Sequence, residues 1–144
     1  MKKSEQVNEL HEKAMKIAQA AFVARMQGHL ENVKQLSSQA FEYESKAAML
    51  LLNDYDIEPT RSVLFRSAAS LALNFEDYRE AERMIAFGLS GNPPPEILEE
   101  LRELLIANIP IQTKALSIPL SQSHLSTVSP LMTVKDASVS QPNA

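Results

Sequence analysis

The apolar and polar residues along the first 107 positions follow the pattern of a series of amphipathic helices. Apolar residues recur at steps of three and four, the spacing that places side chains on one face of a helix. No segment in this part alternates as a half-buried strand does, so the pattern predicts an all-α body. Five helices are expected at about 4–27, 30–52, 59–74, 77–90 and 95–107. The second helix has a predicted buried stripe of Val33, Leu36, Ala40, Tyr43 and Ala47.

Residues that start or stop helices separate these segments. Ser4 is suited to cap the first helix, and Gly28 ends it. Pro59 suits the first turn of the third helix, since its missing N–H is not needed there. Gly91 is predicted to end the fourth helix in the left-handed conformation, and residues 93–95 are three prolines that lead into the fifth.

Small residues are concentrated between Phe65 and Pro93. They lie at the spacing that lets two antiparallel helices pack closely, with a turn at Glu76 and Asp77 between them. The predicted contact faces consist of Ala68, Ala69 and Ala72 on the third helix and Ala81, Ile85 and Gly88 on the fourth.

The composition changes after Asn108. Residues 109–144 are rich in serine, contain four prolines and three charged residues, and keep no durable helical or strand period. The sequence therefore predicts a helical domain over residues 1–108 and a flexible, disordered tail over 109–144.

The stretch from Phe65 to Pro93 resembles a tetratricopeptide repeat, a helical hairpin of about 34 residues. The positions that carry the resemblance are Phe65, Ala68, Ala69, Ala72, Tyr78, Ala81, Ile85 and Pro93. A weaker copy surrounds Gly28 and lies 48 residues upstream, which exceeds one repeat period. The resemblance implies antiparallel hairpins stacked in a right-handed α–α superhelix, a scaffold that holds a partner and needs no cofactor.

A second resemblance covers more of the helical part. The run EPTRSVLFRSAASLAL, followed by YREAERMIAFGLSGNPPPEILEELRELL, is similar to the N-terminal helical block of uncharacterised bacterial proteins, many of them cyanobacterial. Those proteins imply a helical domain and no particular chemistry.

Charge and composition exclude several classes of function. Residues 1–107 hold 12 Lys and Arg against 17 Asp and Glu, a net charge of −5, so we expect no nucleic-acid partner. The chain has no cysteine, which excludes disulfides and thiolate metal sites. The longest purely apolar run, residues 47–52, is too short to cross a membrane, and residues 1–13 do not form a signal peptide. These features predict a cytoplasmic protein without a membrane partner.

Candidate catalytic or metal-binding residues are sparse. The three histidines, His11, His29 and His124, do not have the spacing of a metal site. Arg25 and His29 resemble the arginine–histidine pair of certain helical nucleases, but their spacing is shorter and Gly28 lies between them. No glycine-rich phosphate loop or nucleophile elbow is present, so we expect no enzyme activity and no metal.

The resemblance to tetratricopeptide repeats implies that the first helix of each hairpin lines a concave binding face. The predicted partner-binding residues are Arg25, Met26, Arg66, Ser70, Leu73 and Asn74, with Met15, Ala18, Phe22 and Val63 on the same faces. Arginine and asparagine there would hold a carboxylate or a peptide backbone. The alternative is that Arg66 pairs with Glu58 or Glu80 on the surface and that Met15 and Phe22 belong to the core.

The leading functional hypothesis is a protein-interaction module or small adaptor, which binds an unknown protein or peptide in a helical groove without catalysis. Two alternatives remain: a regulatory or toxin–antitoxin component that acts on RNA, and a structural homodimer.

Overall fold

The computed structural model describes the backbone of residues 1–122 and the side chains of residues 1–108. Over this part the chain is all-α, as predicted, with five helices and no strand. The helices are α1 (Lys3–Met26), α2 (Leu30–Leu50), α3 (Thr60–Asn74), α4 (Tyr78–Leu89) and α5 (Pro95–Gln122).

The ends of the first four helices lie within two residues of the predicted ones. The expected cap at Ser4 is wrong, because α1 already begins at Lys3. At that end the backbone N–H of Lys2 donates to the Glu5 carboxylate at 3.1 Å, so an acidic side chain in the first turn satisfies a donor that precedes the helix.

Two tight turns close the helical hairpins. Gly28 follows α1 with a φ of +79°, a backbone conformation that favours glycine, and the N–H of His29 donates to the Ala24 carbonyl at 2.9 Å. Between α3 and α4, Glu76 has a positive φ of 66°. Asp77 then caps α4, its carboxylate accepting from the backbone N–H of Glu80 at 3.1 Å.

Consecutive helices pack against one another, α1 on α2, α2 on α3 and α3 on α4. Long-range contacts give the directions. Phe41 of α2 meets Phe75 at the end of α3, with ring centroids 5.6 Å apart, whereas Arg61 at the start of α3 bonds to the carbonyl of Leu52. The helices therefore alternate in direction, and α1 and α3 run parallel.

The predicted small-residue faces of α3 and α4 are confirmed. Ala68, Ala69, Ala72, Ala81 and Ile85 have no exposed surface. Gly88 completes this contact because a Cβ on it would lie 3.0 Å from Leu101 Cδ1 and 3.3 Å from Phe65 Cβ. The absence of a side chain at Gly88 lets α5 pack closely on the α3–α4 hairpin.

The buried stripe of α2 is rotated from the predicted one. Val33, Ala40 and Ala47 are buried as expected, but the other buried positions are Ser37, Glu44 and Ala48, whereas Leu36 and Tyr43 are only half-buried. Steps of three and four alone allow either set, and the structure places a carboxylate in the core rather than a phenol ring.

The prediction that Gly91 adopts the left-handed conformation is wrong. Among the glycines of the described residues, Gly28 is the one with a positive φ. The role of Gly91 is steric. A Cβ at Gly91 would lie 2.3 Å from Nη1 of Arg61, which is fully buried. Nε and Nη2 of Arg61 donate to the Leu52 carbonyl at 3.0 and 2.9 Å, and its guanidinium stacks on the Tyr55 and Phe65 rings. Gly91 therefore leaves room for a buried arginine.

The prediction that α5 ends near Ala107 is wrong, because the helix continues to Gln122. Pro110 and Pro119 both lie within this helix and each removes one backbone donor, yet neither proline ends it. The prediction of a disordered tail over 109–144 concerns residues whose side chains are not described, and 123–144 lie outside the described residues. Residues 1–108 form one compact unit, which holds α1 to α4 and the first half of α5.

Candidate functional site

Two grooves flank α3, one towards α1 and one towards α5. The first, which we call the α1–α3 groove, has a volume of about 300 Å³. Its walls are mainly apolar, with polar side chains at the rim; the lining residues are Val7, Asn8, His11, Pro59, Thr60, Val63 and Leu64. A neighbouring cavity of about 370 Å³ shares Val7, Asn8 and Thr60 with it, so the groove extends towards the start of α1.

His11 in this groove is held by a buried carboxylate. Its Nδ1 lies 2.9 and 3.1 Å from the two carboxylate oxygens of Glu44, a side chain with no exposed surface. The ring of His11 is 38% exposed. Because Glu44 takes up Nδ1, Nε2 is the ring nitrogen that remains for another partner. This arrangement fixes the orientation of a polar group at the edge of an apolar groove.

The second groove, the α3–α5 groove, has a volume of about 340 Å³ and is lined by Arg66, Ser70, Glu100, Glu103 and Leu104. The guanidinium of Arg66 forms an ion pair with the carboxylate of Glu100 on α5. Arg66 was expected to pair, if at all, with Glu58 or Glu80, and that expectation is wrong. The reason is that α5 packs beside α3 and brings a distant carboxylate next to Arg66.

The structure groups four of the six predicted site residues along α3. Arg66 and Ser70 line the α3–α5 groove. Asn74 is exposed one turn beyond Ser70, and Leu73 is half-buried two turns beyond Arg66. These four residues form one continuous edge of α3.

The other two predicted residues lie elsewhere. Arg25 and Met26 are exposed in the last turn of α1, and neither of them lines the α1–α3 groove or the α3–α5 groove. Phe22, one turn earlier, is 60% exposed, so the alternative that placed it in the core is wrong. Met15 is half-buried, so it lies between the exposed binding position and the core position that the two alternatives gave it. The site predicted from the sequence is thus divided between α3 and the tip of the α1–α2 hairpin.

His11, Glu44 and Glu100 are site residues that the sequence interpretation missed. A signal for Glu44 was present: it lies four residues after Ala40 and three before Ala47, in the buried stripe of α2. A carboxylate in such a stripe needs a partner, and the antiparallel hairpin offers His11. No comparable signal marks Glu100, because its neighbours on α5 include three more exposed glutamates.

In the part of the chain that the structure describes, no group of three or more His, Asp or Glu side chains could hold a metal ion. Among the same residues, no helix has both the length and the apolar character needed to cross a bilayer. Arg25 and His29 are both exposed at the α1–α2 turn, and the hypothesis that they act on RNA stays a prediction. His124 lies outside the described residues.

Comparison with known proteins yields no match, whether to a family model, a curated protein or a solved structure. The functional inference therefore depends on the geometry of this chain.

Proposed function

We propose that residues 1–108 form a protein-interaction module that holds a peptide or a partner segment along α3 by noncovalent contacts alone. The observation that supports this most is that each groove beside α3 has a polar group fixed by a neighbour. Glu44 holds His11 in one groove, and Glu100 holds Arg66 in the other. Polar groups that are already oriented lose little freedom on binding, which favours recognition.

The α1–α3 groove suits an apolar side chain together with the peptide group beside it. Val7, Val63 and Leu64 provide the apolar wall, while Asn8 and Thr60 provide donors and acceptors at the rim. Nε2 of His11 adds one more oriented polar atom. A groove with apolar walls and few polar groups is typical of sites that bind one side chain and fix its direction.

The α3–α5 groove suits a polar or basic part of the same partner. It holds one arginine and two carboxylates, so its net charge is negative. Ser70 is exposed there without a charge of its own. A partner segment with an apolar residue near His11 and a basic residue near Glu103 would complement both grooves.

We also propose that the chain belongs to the tetratricopeptide-like type of helical array. Arg66 and Glu100 are paired across two neighbouring helices and are 34 residues apart in sequence. That separation equals the period of such repeats, which places equivalent positions of successive first helices next to each other. On this proposal α5 is the first helix of another hairpin, and α1, α3 and α5 share the face that binds the partner.

Quantitative affinity capture with the purified full chain as bait tests the proposed function. The blocking variant is Ser70→Arg, which fills the α3–α5 groove from an exposed position. The matched control is Gln39→Arg, which adds the same side chain at an exposed position of α2. The expected result is a set of proteins retained by the wild type and by Gln39→Arg, and reduced at least about tenfold by Ser70→Arg, which corresponds to about 1.4 kcal/mol.

A second pair of variants tests the charge of the groove. Arg66→Glu breaks the ion pair that orients the groove and leaves three carboxylates that repel one another across α3 and α5, so it should abolish capture. Adding Glu100→Arg restores an ion pair between α3 and α5 with its direction reversed and should restore capture. If the same proteins are retained equally by the wild type, Ser70→Arg and Arg66→Glu, the α3 grooves are not the binding site.

A further inference from the structure

The tip of the α1–α2 hairpin carries four large apolar side chains exposed to solvent. Phe22 is 60% exposed, Val23 47%, Met26 72% and Leu30 60%. We call these four residues the hairpin-tip patch. Large apolar side chains are exposed elsewhere in residues 1–108, but no other four occur within nine consecutive positions.

The geometry of the turn places these side chains together. Phe22 and Met26 are four residues apart and therefore lie on the same face of α1, with Val23 beside them. The three-residue turn through Gly28 then returns the chain, so that Leu30 begins α2 next to the end of α1. Ala21 and Ala24 occupy the opposite face and are buried against α2.

We propose that the hairpin-tip patch is a self-association surface that binds the same patch of a second copy of this chain. Its charge supports this occupant. Residues 18–33 contain a single cation, Arg25, and a single anion, Glu31, and their net charge is zero, whereas residues 1–107 carry −5. Two acidic bodies can approach each other with least repulsion at a neutral surface.

Arg25 and Glu31 also make the surface self-complementary. In a twofold symmetric contact, a residue near the axis meets its own counterpart and a residue away from the axis meets a different one, so one cation and one anion beside an apolar centre can pair twice. Both side chains are exposed, and neither forms an ion pair within the described chain. This assigns to Arg25 and Met26, which lie away from the α3 grooves, a partner of their own.

The area of the patch indicates how strong the association is. At these exposures the four side chains present on the order of 400 Å² of apolar surface, about half of what one partner buries in a standard interface. The contact is therefore a weak, reversible dimer rather than an obligate one. The proposal does not depend on the partner function of α3, because it uses other residues and needs no ligand.

Sedimentation velocity of the purified full chain, from low micromolar to several hundred micromolar, tests the proposal. The wild type is expected to shift from monomer to dimer across this range. Met26→Glu and Met26→Lys should each remain monomeric, because like charges would meet across the twofold axis. An equimolar mixture of the two should associate again. Ile106→Glu is the matched control, since it charges a residue that is 65% exposed on α5.

Each outcome decides the proposal. A dimer that is lost in the two Met26 variants, recovered in their mixture and retained in Ile106→Glu supports it. A wild type that stays monomeric throughout, or a dimer that both Met26 variants retain, overturns it. Loss of association in Ile106→Glu as well, or a mixture that stays monomeric, also overturns it, because the contact is then not made by the hairpin-tip patch.

Discussion

The pair formed by His11 and Glu44 is the feature whose removal most directly tests how the groove is built. We consider three variants: His11→Ala, Glu44→Leu and the two together. In His11→Ala the carboxylate of Glu44 keeps its fully buried position but loses the Nδ1 donor at 2.9 Å. In Glu44→Leu the buried charge is removed and a side chain of similar volume remains in the stripe of α2.

The two single variants are expected to change the free energy of unfolding by different amounts. A hydrogen bond to a charged group contributes about 1.5–3 kcal/mol, and leaving a buried charge without its partner costs about 3–5 kcal/mol. His11 is 38% exposed, so water can enter the space that the ring leaves and reach the carboxylate. We therefore expect His11→Ala to lower the free energy of unfolding by about 2 kcal/mol, near the lower end. Glu44→Leu should change it by less than about 1 kcal/mol, because replacing a buried ionic group by an apolar one is often neutral.

The double variant gives the decisive comparison. If His11→Ala is destabilising because it strands Glu44, then adding Glu44→Leu should restore at least about 1 kcal/mol, although it removes a second native side chain. Urea unfolding of all four proteins at neutral pH, followed by far-UV circular dichroism, measures these differences. Glu9→Ala is the control, since it breaks an exposed pair with Lys13 on the same helix and should cost less than about 0.5 kcal/mol.

Additive effects would refute this reasoning. If the effects of the two single changes simply add in the double variant, the coupling free energy between the two sites is below about 0.5 kcal/mol. The buried carboxylate then does not depend on His11. The groove would then lack the oriented imidazole on which its proposed role depends.

Three further substitutions test the packing, each by thermal unfolding. Gly91→Ala should destabilise by about 2 kcal/mol or more, because its Cβ would lie 2.3 Å from the buried Arg61; an unchanged melting temperature would contradict the steric role of this glycine. Gly88→Ala should cost only about 1 kcal/mol, since the contact with Leu101 is partly offset by better helix propensity; a loss larger than that of Gly91→Ala would reverse the predicted order. Asp77→Ala should cost about 1 kcal/mol by removing the cap of α4, and no loss would show that the cap is dispensable.

Much of the helical body could be predicted because apolar spacing and turn residues agree along the chain. Gly28, Pro59 and Asp77 all lie where a helix starts or ends, and the alanines of α3 and α4 are buried as their spacing indicates. Local signals of this kind suffice to place helices and their inward faces. They do not reveal which distant helix supplies the partner of a polar side chain.

The errors in the predicted stripe of α2 and in the predicted role of Gly91 share one cause, a contact with a residue distant in the sequence. Ser37 and Glu44 are buried in place of Leu36 and Tyr43 because the position of α1 decides which side of α2 faces inwards. The prediction for Gly91 rests on its place after a helix, whereas its real constraint comes from a side chain 30 positions earlier in the sequence. In both cases a tertiary contact overrides a local rule, and such contacts involve polar groups that need partners.

The division of the predicted site follows from the lengths of the helices. Asn8 of α1 and Thr60 of α3 lie in the same groove, and the two helices run parallel from there. Helix α3 ends at Asn74, 14 residues after Thr60, whereas α1 continues to Met26, 18 residues after Asn8. At 1.5 Å per residue, Met26 lies about 6 Å beyond the last turn of α3. The sequence signals this mismatch, since the two hairpin copies are separated by 48 positions rather than one repeat period. The longer first hairpin thus leaves its apolar tip without cover from α3, and this uncovered tip is the surface for which we propose a second copy of the chain as partner.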